Sequence, residues 1–485
     1  MTATNKNSWN FDNSYRKLAG YLYREQAPTP VREAKLVLWN EPLAEELGLS
    51  FLSGKEAEVA ALFSGNEVPV GAAPIAQAYA GHQFGHFNML GDGRAVLLGE
   101  QITPAGARFD IQLKGSGPTP YSRRGDGRAT LSSMLREYLI SEAMYHLGIP
   151  TSRSLAVVAT GEPVYRSPVQ SGAVLTRVAG SHIRVGTFEY VRQNDSKEDL
   201  QQFMDYVIQR HYPNLSNASQ PALQLLSAVM NKQIRLVVEW MRVGFIHGVM
   251  NTDNVSIAGE TIDYGPCAFM NAYDPNTVFS SIDRNGRYAF GNQPRIAHWN
   301  MMAFAGTLLP LVADDEEEAT QQVTAILDMF PKRFALAWYT MMLQKIGIQQ
   351  PQNEDQQLVD ELLELMQHHH ADYNNLFAAL QYDDLPIEPI FNDPKFKDWH
   401  KRWQERIATA GKAQALALMA KRNPTYIARN HLVEEVLDAA TQGNMEPFQQ
   451  MLQQLTKPYQ HQADEPALQQ VPAGFDAAYQ TFCGT

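Results

Sequence analysis

Two hydrophobic rhythms divide the chain. Up to about residue 180, apolar residues come in short runs or alternate with polar ones between Gly, Pro and Asp-Gly turns, the pattern of strands. The runs at 95–98 and 109–113 predict adjacent strands, and 155–158 and 173–178 predict two more. One helix interrupts them at 128–147. There Leu131, Leu135, Tyr138 and Leu139 recur at helical spacing, as do Met134 and Met144, and Gly148 with Pro150 ends the run. Further on, the period lengthens. Ser196 opens a helix through His211 with acidic residues in its first turn, and 221–242 follows, carrying Leu225, Val229, Leu236 and Trp240. Helices are predicted at 295–309, 316–329, 331–346, 355–367, 396–420 and 431–442.

These elements predict an α+β chain in four parts. Residues 1–75 read as an N-terminal extension with one helical candidate at 42–49. Residues 76–190 form a small mixed lobe, and 191–456 a large helical lobe. Residues 457–485, rich in Gln and Pro, form a tail lying over the surface.

Composition narrows the function classes. The 485 residues are 44% hydrophobic and 19% charged, ordinary for a globular protein with a large core. A net charge of −12 argues against a nucleic-acid partner, which needs a basic surface. No apolar run has the eighteen or so residues of a membrane span, and the start lacks the apolar core of a secretory signal. A cytoplasmic monomer is the expectation. Two cysteines, Cys267 and Cys483, exclude a disulfide framework and a four-cysteine zinc site.

The candidate chemistry centres on His247-Gly248-Val249-Met250-Asn251-Thr252-Asp253-Asn254, followed by Asp263-Tyr264-Gly265. Asn254 follows His247 by seven residues, the spacing of the protein-kinase catalytic loop, and Asp263-Tyr264-Gly265 stands where a kinase has its metal-binding triplet. A short hairpin, 255–257 against 261–262, is expected to bring Asn254 and Asp263 to one spot, where their oxygens suit Mg2+. Upstream, Lys114 ends a strand and Glu137 lies on the next helix, the layout of the kinase Lys–Glu pair. Together these predict a protein-kinase-like bilobal fold.

One kinase group is missing. The proton acceptor two residues after the His is replaced by Val249, and the nearest carboxylate is Asp253. Arg177 and Arg184 are further candidates for phosphate contacts, because guanidinium groups bind phosphate bidentately. Gly91 and Gly93 would let backbone amides approach a nucleotide. Other clusters read as bland: His368-His369-His370 as a solvated helix face, the acidic run 314–318 as a helix start, and His82 with His86 as a poor zinc site.

Across nearly its whole length the chain resembles the selenoprotein O family, called YdiU in bacteria. The resemblance rests on Ala80-Gly81-His82-Gln83-Phe84-Gly85, Leu90-Gly91-Asp92-Gly93-Arg94, Lys114-Gly115-Ser116-Gly117, Tyr121-Ser122-Arg123, Gly125-Asp126-Gly127-Arg128-Ala129, the 247–254 loop, Asp263-Tyr264-Gly265-Pro266 and Asn292-Gln293-Pro294. It implies a pseudokinase fold that binds ATP in a flipped orientation and transfers AMP to hydroxyls of target proteins. Carried over by motif, Gly91, Gly93, Arg94, Lys114, Asp126, Gly127, Arg177, Arg184 and Asp263 would contact nucleotide. Asn254 and Asp263 would hold Mg2+ or Mn2+, Asp253 would accept the proton, and Glu137 would pair with Lys114. UMP transfer from UTP is the alternative within the family. The resemblance also implies a redox cysteine near the C-terminus. Cys483 matches that place, and a disulfide to Cys267 would tie the tail across the active-site segment. Two other readings stay open at this point: a small-molecule phosphotransferase, which Val249 disfavours, and a non-enzymatic nucleotide-binding scaffold.

Overall fold

The computed structural model describes residues 8–194, 196–381, 388–460 and 468–482. It is α+β, as the two rhythms predict. Nine strands form one antiparallel sheet: β1 (Tyr23–Glu25), β2 (Lys35–Trp39), β3 (Ile75–Gln83), β4 (His86–Gly91), β5 (Ala95–Ile102), β6 (Arg108–Lys114), β7 (Ala129–Thr130), β8 (Arg153–Val164) and β9 (Gln170–Ala179). The path runs β1-β3-β5-β6-β9-β8-β2, with β4 hairpinned onto β3 and β7 added to β9.

Residues before 75 are therefore part of the sheet. β1 and β2 form its two ends, and helices α1 (Glu41–Glu46) and α2 (Glu56–Ser64) pack on one face. That face is apolar: Ile111, Leu113, Val174 and Val178 join Leu62 and Phe63 in a buried cluster. Strand alternation turns the intervening residues the other way. Gln112 pairs with Arg177 and Lys114 with Leu175 across β6 and β9, so Lys114 and Arg177 share the opposite face. A one-residue slip would bury both against α2, so the apolar face fixes the register of the polar one.

Helix α3 (Leu131–His146) lies on that opposite face, started by Thr130, whose hydroxyl accepts from Ser133 N–H at 3.3 Å. The helical part begins with α4 (Val185–Arg192), α5 (Lys197–His211) and α6 (Pro221–Arg242). In α6 the predicted stripe of Leu225, Val229, Leu236 and Trp240 is buried, at about 1.5–3 kcal/mol for each large apolar side chain. It delivers the chain to a two-stranded ribbon, β10 (Phe245–Ile246) with β11 (Ala268–Phe269), that brackets the candidate loop. Helix α7 (Gln293–Val312) and the helices after it complete the second core. The helix predicted at 396–420 is two, Pro394–Ala410 and Lys412–Arg422, because Gly411 between them has φ +101°. Among the described residues no helix is long and apolar enough to cross a membrane.

Candidate active site

Lys114 is buried at the end of β6, and its ammonium bridges two carboxylates, Glu137 Oε2 on α3 at 2.5 Å and Asp263 Oδ1. Arg177 adds a second cation, 3.4 Å from Glu137 and 3.8 Å from Asp263, and is itself held by Gln112 Oε1 at 2.7 Å. The strand, helix and triplet thus meet as the Lys–Glu spacing predicts. Burial alone would raise the Asp263 carboxyl, but Lys114, Arg177 and Arg94 outweigh it and hold the group ionised, well below the usual carboxylate range. Asp263 also sits in the left-handed region at φ +69°, a strained conformation typical of functional positions.

The catalytic-loop candidate is built from neutral hydrogen bonds. Buried His247 donates from Nε2 to the Ile262 carbonyl at 3.1 Å, which fixes the residue before Asp263, while its Nδ1 accepts from Val249 N–H at 3.4 Å. This pattern assigns the neutral tautomer, and burial pushes the ring pKa down in agreement. Val249 is buried, so the position of the kinase base carries packing. Asn254 donates from Nδ2 to the Val249 carbonyl at 3.0 Å. That contact uses its amide nitrogen and leaves the amide oxygen as an acceptor.

The expected hairpin after Asn254 does not form. Its arms pair elsewhere, Ser256 with Arg184 and Thr261 with Thr151. Turn residues Ile257 and Ala258 separate arms too short to ladder, so each takes a partner from the sheet side. The result still carries the chain from Asn254 back toward the loop: Asp263 lies close enough to Asp253 to raise its pKa electrostatically.

Asp253 is the loop's single carboxylate. Burial pushes it up to about 6 against the pull of Arg184, and its Oδ1 is buried without a hydrogen-bond partner among the described residues. A buried acceptor left open in this way points to a ligand donor. Two glycines make the approach to it. A Cβ on Gly81 would come within 2.6 Å of Asp253 Oδ1, and one on Gly186 within 2.0 Å of the Ala80 carbonyl oxygen. Helix α4 therefore packs on the backbone of both β3 and the loop, and the Asp253 side chain packs on the β3 backbone at Gly81.

The remaining site residues divide. Arg184 is buried, stacked 4.1 Å over the Tyr79 ring, and donates to the Asp253 carbonyl at 3.3 Å. Arg94 lines a cavity of about 490 Å3 with Lys114 and Glu137. Space beside Gly91 and Gly93 is occupied by Tyr121, whose ring would lie 2.3 Å from a Cβ on Gly91. Asp126 is taken up by a bidentate pair with Arg166, at 2.8 and 3.0 Å. Gly127 packs on Gly117, whose carbonyl oxygen would meet its Cβ at 2.1 Å. His82 lies on β3 and His86 across the hairpin turn on β4, and His82 Nδ1 faces Glu189 at 2.5 Å.

Asn254 and Asp263 fit a hard divalent cation, since both offer oxygen. Among the described residues no cluster of three or more His, Cys, Asp or Glu could hold a metal. An ion here would take two protein ligands and complete its shell from phosphate oxygens and water, the usual habit of Mg2+ at nucleotide sites.

The tail is also built into the site. Tyr479 donates to Glu434 at 2.7 Å, and Thr481 donates to the Pro266 carbonyl at 2.7 Å while pairing with Ser280. Arg136 on α3 reaches both Glu434 and the Cys267 carbonyl. Cys267 is a buried free thiol pushed up to about 11 by burial. Cys483 lies outside the described residues. Sequence reasoning missed Arg136, Glu189, Thr252 and Tyr479, which act through contacts distant in sequence. The adjacency of Thr252 to Asp253 was the one local signal.

Comparison with known proteins shows the family. The family described as Protein adenylyltransferase SelO matches residues 6–456. A protein nucleotidyltransferase YdiU from Nitrosococcus oceani is 53% identical over 480 residues, covering 98% of this chain and 97% of its own. One of the same name from Bacillus thuringiensis (strain Al Hakam) is 53% identical over 489 residues, with both chains fully covered. Lys114, Glu137, Arg177, Asp253, Asn254 and Asp263 all lie within the matched span, and the chain belongs to the SelO family.

Proposed function

We propose that this protein transfers AMP from ATP to Ser, Thr or Tyr hydroxyls of target proteins, on a kinase-like bilobal fold. The names of its relatives carry the coarser class, protein nucleotidyl transfer. The observation that carries the finer reading is the pairing of a buried Lys114–Glu137–Asp263 charge cluster with a loop whose kinase-base position is a buried valine. The proton acceptor has moved to Asp253, so the attacked phosphorus moves with it.

In this reading the acceptor hydroxyl oxygen attacks the α-phosphorus and its proton passes to Asp253 Oδ1. The bond from the α-phosphorus to the bridging oxygen breaks, and pyrophosphate leaves. Lys114, Arg177, Arg94 and Arg184 offset charge on the phosphates, and Glu137 keeps Lys114 aimed. Asn254 and Asp263 would hold Mg2+ or Mn2+, which supplies Lewis-acid neutralisation of phosphate charge when bound. Gly91, Gly93, Asp126 and Gly127 are further proposed nucleotide contacts, against which Tyr121, Arg166 and Gly117 now stand.

Mass spectrometry of proteins incubated with ATP, UTP and both together tests the transferred group. AMP adducts supports this reading, UMP adducts the family alternative. ATP-dependent thermal stabilisation without adducts would leave a scaffold. Redox control belongs to the same proposal. Thr481 already rests against Pro266, beside Cys267, so a Cys267–Cys483 bond closed under oxidation should slow transfer, and Cys483→Ser should remove that sensitivity.

A further inference from the structure

A closed ring of hydrogen bonds stands behind Asp253. The hydroxyl of Thr252 accepts from His82 N–H at 2.7 Å and donates to Glu189 Oε2 at 2.6 Å, while Glu189 Oε1 faces His82 Nδ1 at 2.5 Å. Three elements contribute one member each: β3, α4 and the loop. Thr252 is 0% exposed and Glu189 4%. A second clamp lies alongside, where Asn251 Oδ1 accepts from Phe84 N–H at 3.1 Å and from Tyr288 O–H at 2.6 Å. Both residues preceding Asp253 are thus bolted to the β3–β4 hairpin.

We propose that Thr252 and Glu189 are positioning residues for Asp253, setting the place of its carboxylate relative to the acceptor hydroxyl. The inference rests on the reading of Asp253 as the proton acceptor. A buried carboxylate is a poor device for stability alone, since apolar packing of the same volume does as well or better. What the ring adds is direction. Thr252 uses its donor and an acceptor site on fixed partners, leaving the backbone at Asp253 one orientation, and Gly81 leaves no space for another. Where reaction needs a base within about 3 Å of a proton, a displacement near 1 Å costs about 100-fold.

The test uses the full-length protein, ATP labelled at the α-phosphate and casein as a hydroxyl-rich probe acceptor. Thr252→Val keeps the shape of the side chain and deletes the hydroxyl. It should lower kcat about 100-fold, with KM for ATP and ATP-induced thermal stabilisation within about twofold of wild type. Thr252→Ser should return activity to within about threefold, and Glu189→Gln should exceed Glu189→Ala, because an amide can still accept from Thr252. In an Asp253→Ala background Thr252→Val should cost nothing further, since it acts through the missing group. Wild-type kcat per folded Thr252→Val molecule would overturn the positioning role, as would an equal loss in the Asp253→Ala background. Normal turnover by Asp253→Ala alone is a separate outcome: it removes the base assignment, and this inference with it.

Discussion

The two halves of the site are held together by different forces. The sheet side is a charge cluster: Lys114 and Arg177 between Glu137 and Asp263, each cation serving both carboxylates. On the loop itself Asp253 is the single carboxylate, and the residues around it are fixed mainly by hydrogen bonds: His247 and Asn254 to backbone carbonyls, and Thr252 to the His82 N–H and the buried Glu189. The difference matches two tasks. In the proposed reaction a polyphosphate needs fixed positive charge, which Lys114 and Arg177 would supply, while Asp263 stays ionised because its neighbours are cations. The proposed proton acceptor needs a defined place and a raised affinity for protons, and burial raises that of Asp253. Changing charge should break the first half, and deleting hydrogen-bonding groups the second.

The largest expected effect is at the junction. Asp263→Ala removes a proposed metal ligand and a partner of Lys114, and should abolish transfer, to below about 1% of wild type, while the protein stays folded. Next is Glu137→Gln. It halves the negative charge opposing two buried cations, which should lower the midpoint of thermal unfolding by several degrees and reduce transfer about tenfold. An unchanged midpoint would mean that the cluster is not preorganised before nucleotide binds.

The smallest effect concerns neither task and serves as a control. Glu260 follows the loop and accepts from Gly180 N–H at 3.0 Å. Burial pushes its carboxyl from 4.5 up to about 7, against Gly180 and Lys232. A group raised on folding contributes stability fully below its unfolded value and loses it as pH rises through the folded one. Glu260→Gln, which mimics the protonated form, should therefore unfold about 2 °C above wild type at pH 8 and together with it near pH 4.5. Transfer activity should not follow that difference.

The charged half was legible in the sequence because each member lies on a periodic element. Strand alternation and helix spacing set the faces of Lys114 and Glu137, and the His247-to-Asn254 interval with Asp263 marked the loop. The supports of the loop half were not. Glu189 contacts Thr252 across 63 residues, on a helix of eight residues too short to show a rhythm. The hairpin expected after Asn254 failed for a related reason, since short arms leave a local pairing weaker than bonds to Arg184 and Thr151. The early strands β1 and β2, three and five residues long, are fixed by their partners on β3 and β8, with little pattern of their own. Gly411 ended a helix that apolar spacing alone continued.

The most direct test labels ATP separately at the α- and γ-phosphates and follows each label onto protein under reducing conditions, with Asp263→Ala as control. Label from the α-phosphate, absent in the control, is the predicted result. Label from the γ-phosphate alone would mean kinase chemistry despite Val249, and would contradict the assignment of Asp253 and of the attacked phosphorus.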